Sequence, residues 1–85
     1  MASFEVLIKP SAVKEIEILP KKDRQRIVRR IVALAGNPRP PGCEKLSGQE
    51  RYRVRQGNYR ILYEVHEREL IVMIVKVGDR KNVYR

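Results

Sequence analysis

The sequence predicts an α+β fold of order β-α-α-β-β-β, two helices packed on one face of a mainly antiparallel sheet, and three observations predict it. Residues 51–63 alternate polar and apolar side chains on either side of Gly57-Asn58. Residues 12–35 carry two apolar runs at helical spacing, separated by Pro20. Residues 70–75 are apolar without interruption. Period two marks a half-buried strand, a 3.6 period marks an amphipathic helix, and a short continuous run suits a strand covered on both faces. Helices that precede a run of strands segregate to one side of the sheet. At 85 residues the chain is expected to be one domain, 1–85, with a single modest core.

The elements follow in order. Residues 4–9 form a first strand, with Phe4, Val6 and Ile8 alternating against Glu5 and Leu7, and Pro10 ends it. Ser11 is a suitable N-cap for a short helix over 12–19, whose Ala12, Val13, Ile16 and Leu19 keep helical spacing. Pro20 stops that helix. A second runs over 21–35, and Ile27, Val28, Ile31, Val32, Leu34 and Ala35 give it a broad apolar stripe. Gly36-Asn37-Pro38 is a strong stop signal, and a loop with Arg39-Pro40-Pro41-Gly42 follows. Residues 44–48 lead into the hairpin. The last strand, 70–77, is apolar on both faces and is expected to be central.

The hairpin carries the chemistry. With Gly57 and Asn58 as the two turn residues, Gln56 pairs with Tyr59, Arg55 with Arg60, Val54 with Ile61 and Tyr52 with Tyr63. Directly opposed side chains share a face. Tyr52, Val54, Ile61 and Tyr63 therefore make one face, and Arg53, Arg55 and Arg60 the other. Like charges placed opposite each other destabilise a sheet, so stability does not explain Arg55 against Arg60. A solvated outer face commonly carries scattered charge. Four arginines, counting Arg51, with only Glu50 and Glu64 nearby are too one-sided for that reading to come first. A polyanion site fits better, and phosphate is the commonest polyanion.

Composition agrees. Nineteen Lys and Arg against ten acids give a net charge of +9 and a pI near 10.2. A small basic domain is drawn to nucleic acid or to an anionic surface. No apolar run approaches the roughly 20 residues of a spanning helix, so no membrane partner is expected. The N-terminus lacks the basic start and apolar stretch of a signal peptide. Cys43 stands alone, which excludes a disulfide framework, and one cysteine with one histidine makes no zinc site. These features point to the cytoplasm, with no metal or other cofactor expected.

Several motifs now come together: Lys45-Leu46-Ser47-Gly48, Tyr52-Arg53-Val54-Arg55, Asn58-Tyr59-Arg60-Ile61-Leu62-Tyr63, Val77-Gly78-Asp79-Arg80 and a late Tyr84. Over nearly the whole chain the sequence resembles RelE-type toxins of the RelE/ParE toxin–antitoxin superfamily. The resemblance implies a ribonuclease that cuts mRNA, often in the ribosomal A site, and a cognate antitoxin as partner. The toxin–antitoxin complex would also bind operator DNA. RelE-type toxins place two basic residues on the strand after the Lys-Leu-x-Gly turn, here Arg53 and Arg55, where the best-known members have lysines. An arginine in the Gly/Asn-Tyr-Arg element is Arg60, another after the Val-Gly pair is Arg80, and the late tyrosine is Tyr84. These five are the expected catalytic residues, with Lys45, Arg51 and Lys81 as RNA-binding neighbours. The chain stops at Arg85, where many relatives continue. The ParE branch implies a different activity, poisoning of DNA gyrase without nuclease chemistry. A member that only binds antitoxin and operator DNA is a third reading.

The chemistry of the five residues also stands without the family. RNA carries its own nucleophile, the 2′-OH. An enzyme need only hold the phosphate in line and stabilise the charge that builds on it, and fixed cations do this without reorganisation. Arginine presents a planar fork of donors to phosphate oxygens but is a poor base. The base is then Tyr84, whose phenol nearby cations would acidify, or a water, or a ribosomal group. Tyr84 stacking on a nucleobase is an equally good reading.

Other residues have plainer readings. His66 fits an exposed turn away from the arginine face, Cys43 a loop packing residue, and Tyr52 and Tyr63 the core. Tyr59 leans the same way, with its hydroxyl near the surface. Asp79 either orients Arg80 or caps the tail. Lys21, Lys22, Arg24, Arg26, Arg29 and Arg30 have only Asp23 among them. A solvated helix face and an RNA-docking patch explain them equally well.

Overall fold

The computed structural model describes residues 3–46 and 50–79. Two helices cover one face of a five-stranded mixed sheet. In chain order the elements are β1 (Glu5–Ile8), α1 (Pro10–Glu17), α2 (Lys21–Ala33), β2 (Glu44–Leu46), β3 (Arg51–Gln56), β4 (Tyr59–His66) and β5 (Ile71–Asp79). The strands lie in the order β1-β5-β4-β3-β2. β1 runs parallel to β5, and every other neighbouring pair is antiparallel. The apolar last strand is therefore interior, as its two-faced hydrophobicity requires. β2 is additional to the expected order. Three residues are too short for periodicity to register, yet they add a strand beside β3.

The helix ends also differ from expectation. Ser11 is not the N-cap. Pro10 occupies the first helical turn, Lys9 is the capping residue, and no side chain caps the end. Proline suits that position because its missing N–H would be unsatisfied there and its φ is already helical. α2 ends at Ala33, and the residues that follow turn through hydrogen bonds from Gly36 and Asn37 to the Ala33 carbonyl. The apolar stripe of α2 is narrower than the sequence suggests. Ile27, Ile31 and Leu34 are buried, whereas Val28 and Val32 face solvent.

The core lies between helices and sheet. Ala12, Ile16, Ile27, Ile31 and Leu34 meet Tyr52, Val54, Ile61, Tyr63, Val65, Val72, Ile74 and Val77. Tyr52 and Tyr63 stack with ring centroids 5.8 Å apart. The Tyr63 hydroxyl donates to the Pro38 carbonyl at 2.6 Å, which ties the loop after α2 to the sheet. Burial pushes the Tyr63 phenol well above its ordinary pKa. Arg39 lies over the Tyr52 ring and donates to its hydroxyl at 2.8 Å, and that hydroxyl donates to Glu50 at 2.8 Å. The central hairpin is thus anchored from its core side.

A register shift falls between Leu62 and Tyr63, opposite Val75 of β5. β1 pairs with β5 only as far as Ile74. Beyond that point Glu15 of α1 accepts the Val77 N–H at 2.9 Å and the Lys76 ammonium at 2.9 Å. A helix carboxylate so satisfies a strand edge left open by the short β1.

Candidate active site

The β3–β4 hairpin has the register that its sequence implies. Gln56 pairs with Tyr59, Arg55 with Arg60, Val54 with Ile61, Arg53 with Leu62, Tyr52 with Tyr63 and Arg51 with Glu64. Gly57 has φ +61°, and among the described residues Asn58 is not in the positive-φ region. Positive φ at the first turn residue alone is the signature of a type II′ turn, which favours glycine there. Because Tyr52, Val54, Ile61 and Tyr63 are buried beneath the helices, Arg53, Arg55 and Arg60 share the opposite face.

The three are not equally exposed. Arg55 is open to solvent, Arg53 is mostly covered, and Arg60 is buried at 8 % exposure. The depth of Arg60 corrects any view of it as a surface residue. Alternation tells which face a side chain takes, not how deep it sits, and the flanking strands β3 and β5 enclose β4.

A carboxylate that the sequence reading overlooked sits beside them. β2 places Glu44 opposite Arg53. Arg53 donates from Nε and Nη2 to the two Glu44 oxygens, at 3.3 and 3.1 Å, a forked pair. The Arg53 hydrogen bonds, and then the fields of Arg53, Arg60 and Arg55, hold the Glu44 carboxyl below its usual range. One glutamate therefore feels all three guanidiniums. The missed signal was the alternation Glu44-Lys45-Leu46, too brief to mark a strand.

The remaining expected residues divide. Arg51 shares the face but lies toward the other end of the hairpin, where its Nε donates to Glu64 Oε2 at 2.9 Å and its Nη2 lies 2.9 Å from the same oxygen. His66 ends β4 rather than lying in the turn. It is on the same face as Glu64, which it contacts at 3.1 Å, at the end remote from Arg60. Lys45 pairs with Tyr52, so it belongs to the helix-side face, and its ammonium meets Glu50 at 3.3 Å. Arg80, Lys81 and Tyr84 lie outside the described residues. Tyr59 is half-buried and donates to Asp23 of α2 at 3.1 Å, a bond that raises its phenol pKa. Cys43 packs partly against the core.

Chemically, the site is a sheet face that carries three guanidiniums and is backed on its other side by the buried core. They can grip an anion through their N–H forks, and arginine is a poor general base.

Comparison with known proteins agrees with this architecture. Residues 6–84 match the family described as ParE toxin of the type II toxin–antitoxin system parDE. A protein of Methanocaldococcus jannaschii described as toxin RelE1 is 30% identical over 86 residues, covering 96% of this chain and 96% of that relative. A RelE-like toxin protein of Escherichia coli is 27% identical over 85 residues, covering 95% of this chain and 90% of that one. Among solved structures, the archaeal RelE–RelB complex from Pyrococcus horikoshii superposes with a TM-score of 0.85 at 29% identity, over 94% of this chain and 98% of that one. The chain belongs to the RelE/ParE toxin family of type II toxin–antitoxin systems.

Proposed function

We propose that this toxin is an mRNA endonuclease of the RelE kind, acting on the ribosome in the cytoplasm and halting translation. The observation that carries the reading is the convergence of Arg53, Arg55 and Arg60 at one end of one sheet face. Such a cluster matches a phosphodiester about to become a dianionic transition state. The 2′-OH of the preceding ribose attacks the phosphorus, the 5′-oxygen leaves, and a cyclic phosphate remains on the upstream fragment. No metal is required to generate that nucleophile. Arg53 and Arg60 hold the non-bridging oxygens, and Arg55 lies at the open edge where RNA enters. Glu44 occupies the Arg53 fork until phosphate displaces it. Arg80 and Tyr84 complete the site in this proposal, Arg80 as a further cation and Tyr84 as base or stacking platform.

A partner antitoxin is part of the reading, because the Pyrococcus horikoshii relative was solved together with RelB. A chain of net charge +9 is best held by an acidic segment that covers the arginine face, and the pair would bind operator DNA.

A second reading, gyrase poisoning, draws on the match to a family described by its ParE members. Pulse labelling after induction separates the two. Methionine incorporation stops first if the chain cuts mRNA, and mapped 5′ ends appear within codons. Thymidine incorporation stopping first, with translation persisting, overturns the nuclease reading. Substitution of Tyr84 then sorts its role. Tyr84→Phe abolishes most cleavage if the hydroxyl is the base. It is nearly silent if the ring stacks, in which case Tyr84→Ala costs roughly 1–3 kcal/mol.

A further inference from the structure

The helix side of the molecule holds a second basic site that the sheet chemistry does not use. Arg26, Arg29, Arg30 and Ala33 of α2, with Gln56 from the end of β3, line an open concavity of about 420 Å³. The arginines are three and four residues apart, so Arg26 faces both Arg29 and Arg30 on one side of the helix. Like charges at that spacing oppose helix formation. The C-terminal end of the helix dipole accounts for Arg30 in the last turn, but not for Arg26 in the middle. Asp23, the one acid in the α2 sequence, is engaged by the Tyr59 hydroxyl. Among the described residues the Nε of Arg30 is buried with no hydrogen-bond partner. A buried donor of that kind is costly unless something accepts from it.

We propose that Arg26, Arg29, Arg30 and Gln56 form a second phosphate site, which holds the RNA backbone outside the segment that is cut. The proposal extends the reading of this chain as an RNA-directed toxin. Three guanidinium forks in one concavity suit the oxygens of successive phosphodiesters. Gln56 supplies an amide that donates to phosphate or to a ribose hydroxyl. An acidic protein segment fits less well, because a protein interface rests on apolar surface at its centre. Among the described residues Ala33 is the sole aliphatic side chain at the rim. The exposed Val28 and Val32 lie in an adjoining groove with Arg24 and Gln25, which meets the basic concavity at Arg29. Gln56 adjoins Arg55 in the chain while facing the other way, so the hairpin tip separates the two basic sites. A strand bent around that tip touches both.

The test uses the full chain and a 2′-O-methyl oligoribonucleotide, which binds but has no free 2′-OH to attack its own backbone. Affinity is measured across a salt series for wild type, Arg26→Gln/Arg29→Gln and Arg55→Gln. Both helix positions are exposed, so the double variant keeps its thermal midpoint. It should bind more weakly and flatten the plot of log K against log salt by about 1.4, from two phosphate contacts at about 0.7 each on a single strand. Arg26→Lys/Arg29→Lys should restore the slope, since charge is what the slope counts. If Arg55→Gln alone weakens binding, the second site is overturned and the nuclease reading stands. If neither variant changes affinity, the RNA reading falls with it. A Glu-rich peptide that binds wild type through Arg26 and Arg29, with RNA affinity unmoved by their loss, reassigns the surface to protein and also overturns the proposal.

Discussion

Two rungs of the same hairpin show opposite uses of arginine. At one end Arg51 stands opposite Glu64, and at the other Arg55 stands opposite Arg60. Both rungs are on the solvent-side face of β3 and β4. The first is an opposite-charge pair with 2.9 Å contacts, which a sheet rewards. Burial works against the Glu64 charge, but hydrogen bonds from His66 and Arg51 outweigh it and hold that carboxyl below its usual range. The second rung is a like-charge pair, which a sheet penalises. The difference teaches that charge on a face is not by itself a sign of function. The partner across the ladder decides. Where the other strand of the hairpin supplies a carboxylate, as β4 supplies Glu64 to Arg51, arginine belongs to the fold. Where that strand supplies another arginine, the pairing itself is repulsive, and under the proposed function a bound anion would relieve it. Arg53, whose carboxylate comes from β2, stands between the two cases.

The largest expected effect lies at the second rung. Arg60→Ala should lower RNA cleavage by about 10²- to 10³-fold, the usual result of deleting one fixed donor to a developing anion. Arg60 is buried, so its methylenes also cover the sheet, and the variant should lose more stability than Arg55→Ala does. Cleavage is followed by single-turnover assay and stability by urea unfolding. A variant that unfolds more readily yet cuts at full rate removes Arg60 from the mechanism.

The hairpin was legible because three independent signals agreed: period two on both strands, a Gly-Asn turn, and aromatic residues at matching distances from it. That agreement fixes register, and a one-residue slip would have put Tyr52 and Tyr63 on the outer face. β2 was not legible, because three residues carry no periodicity and its identity comes from pairing with β3. Glu44 was lost with it, so the site's acid had to come from tertiary structure. Ser11 was misread because two good start signals were adjacent and Pro10 prevailed. Val28 and Val32 kept helical spacing yet face solvent, since α1 and the sheet cover only part of the α2 stripe. The burial of Arg60 depends on strand order across the sheet, which a pattern along one strand does not encode.

Arg55→Glu sharpens the comparison by turning the second rung into a copy of the first. Opposite charges across the ladder should raise stability by about 0.2–1 kcal/mol, measured as a shift in the urea midpoint. The same change should abolish phosphate binding, because it places a carboxylate at the entry edge. A gain in stability together with a loss of cleavage is the outcome expected of a site held against the preference of the fold. Equal or better cleavage would mean that Arg55 is an ordinary surface residue.

Arg51→Ala is the converse change. The pair is partly exposed, so screening by water limits its contribution to below about 1 kcal/mol. Raising the salt concentration should shrink the difference from wild type further. Cleavage should change far less than in Arg60→Ala, because Arg51 is already committed to Glu64. Losses of cleavage as large as those of Arg60→Ala would extend the active site along the whole hairpin and dissolve the distinction between the rungs.

The smallest effect is a pH dependence that differs between the two ends. Glu64 and Glu44 both have depressed carboxyl pKa values in the folded chain. In the unfolded chain a glutamate titrates near about 4.3, so the unfolded state binds more protons as pH falls below roughly 5. The stabilisation from a depressed carboxyl is therefore present above the unfolded pKa and is lost as pH falls through the folded one. Glu64→Gln should flatten the acid side of the stability profile, measured by urea midpoints between about pH 6 and pH 3. It should leave RNA affinity at neutral pH nearly unchanged. Glu44→Gln should also flatten the profile, but it frees the Arg53 fork and should strengthen RNA binding at neutral pH. If both variants alter stability and neither alters RNA binding, Glu44 does not compete with phosphate, and Arg53 belongs with Arg51 among the arginines that serve the fold.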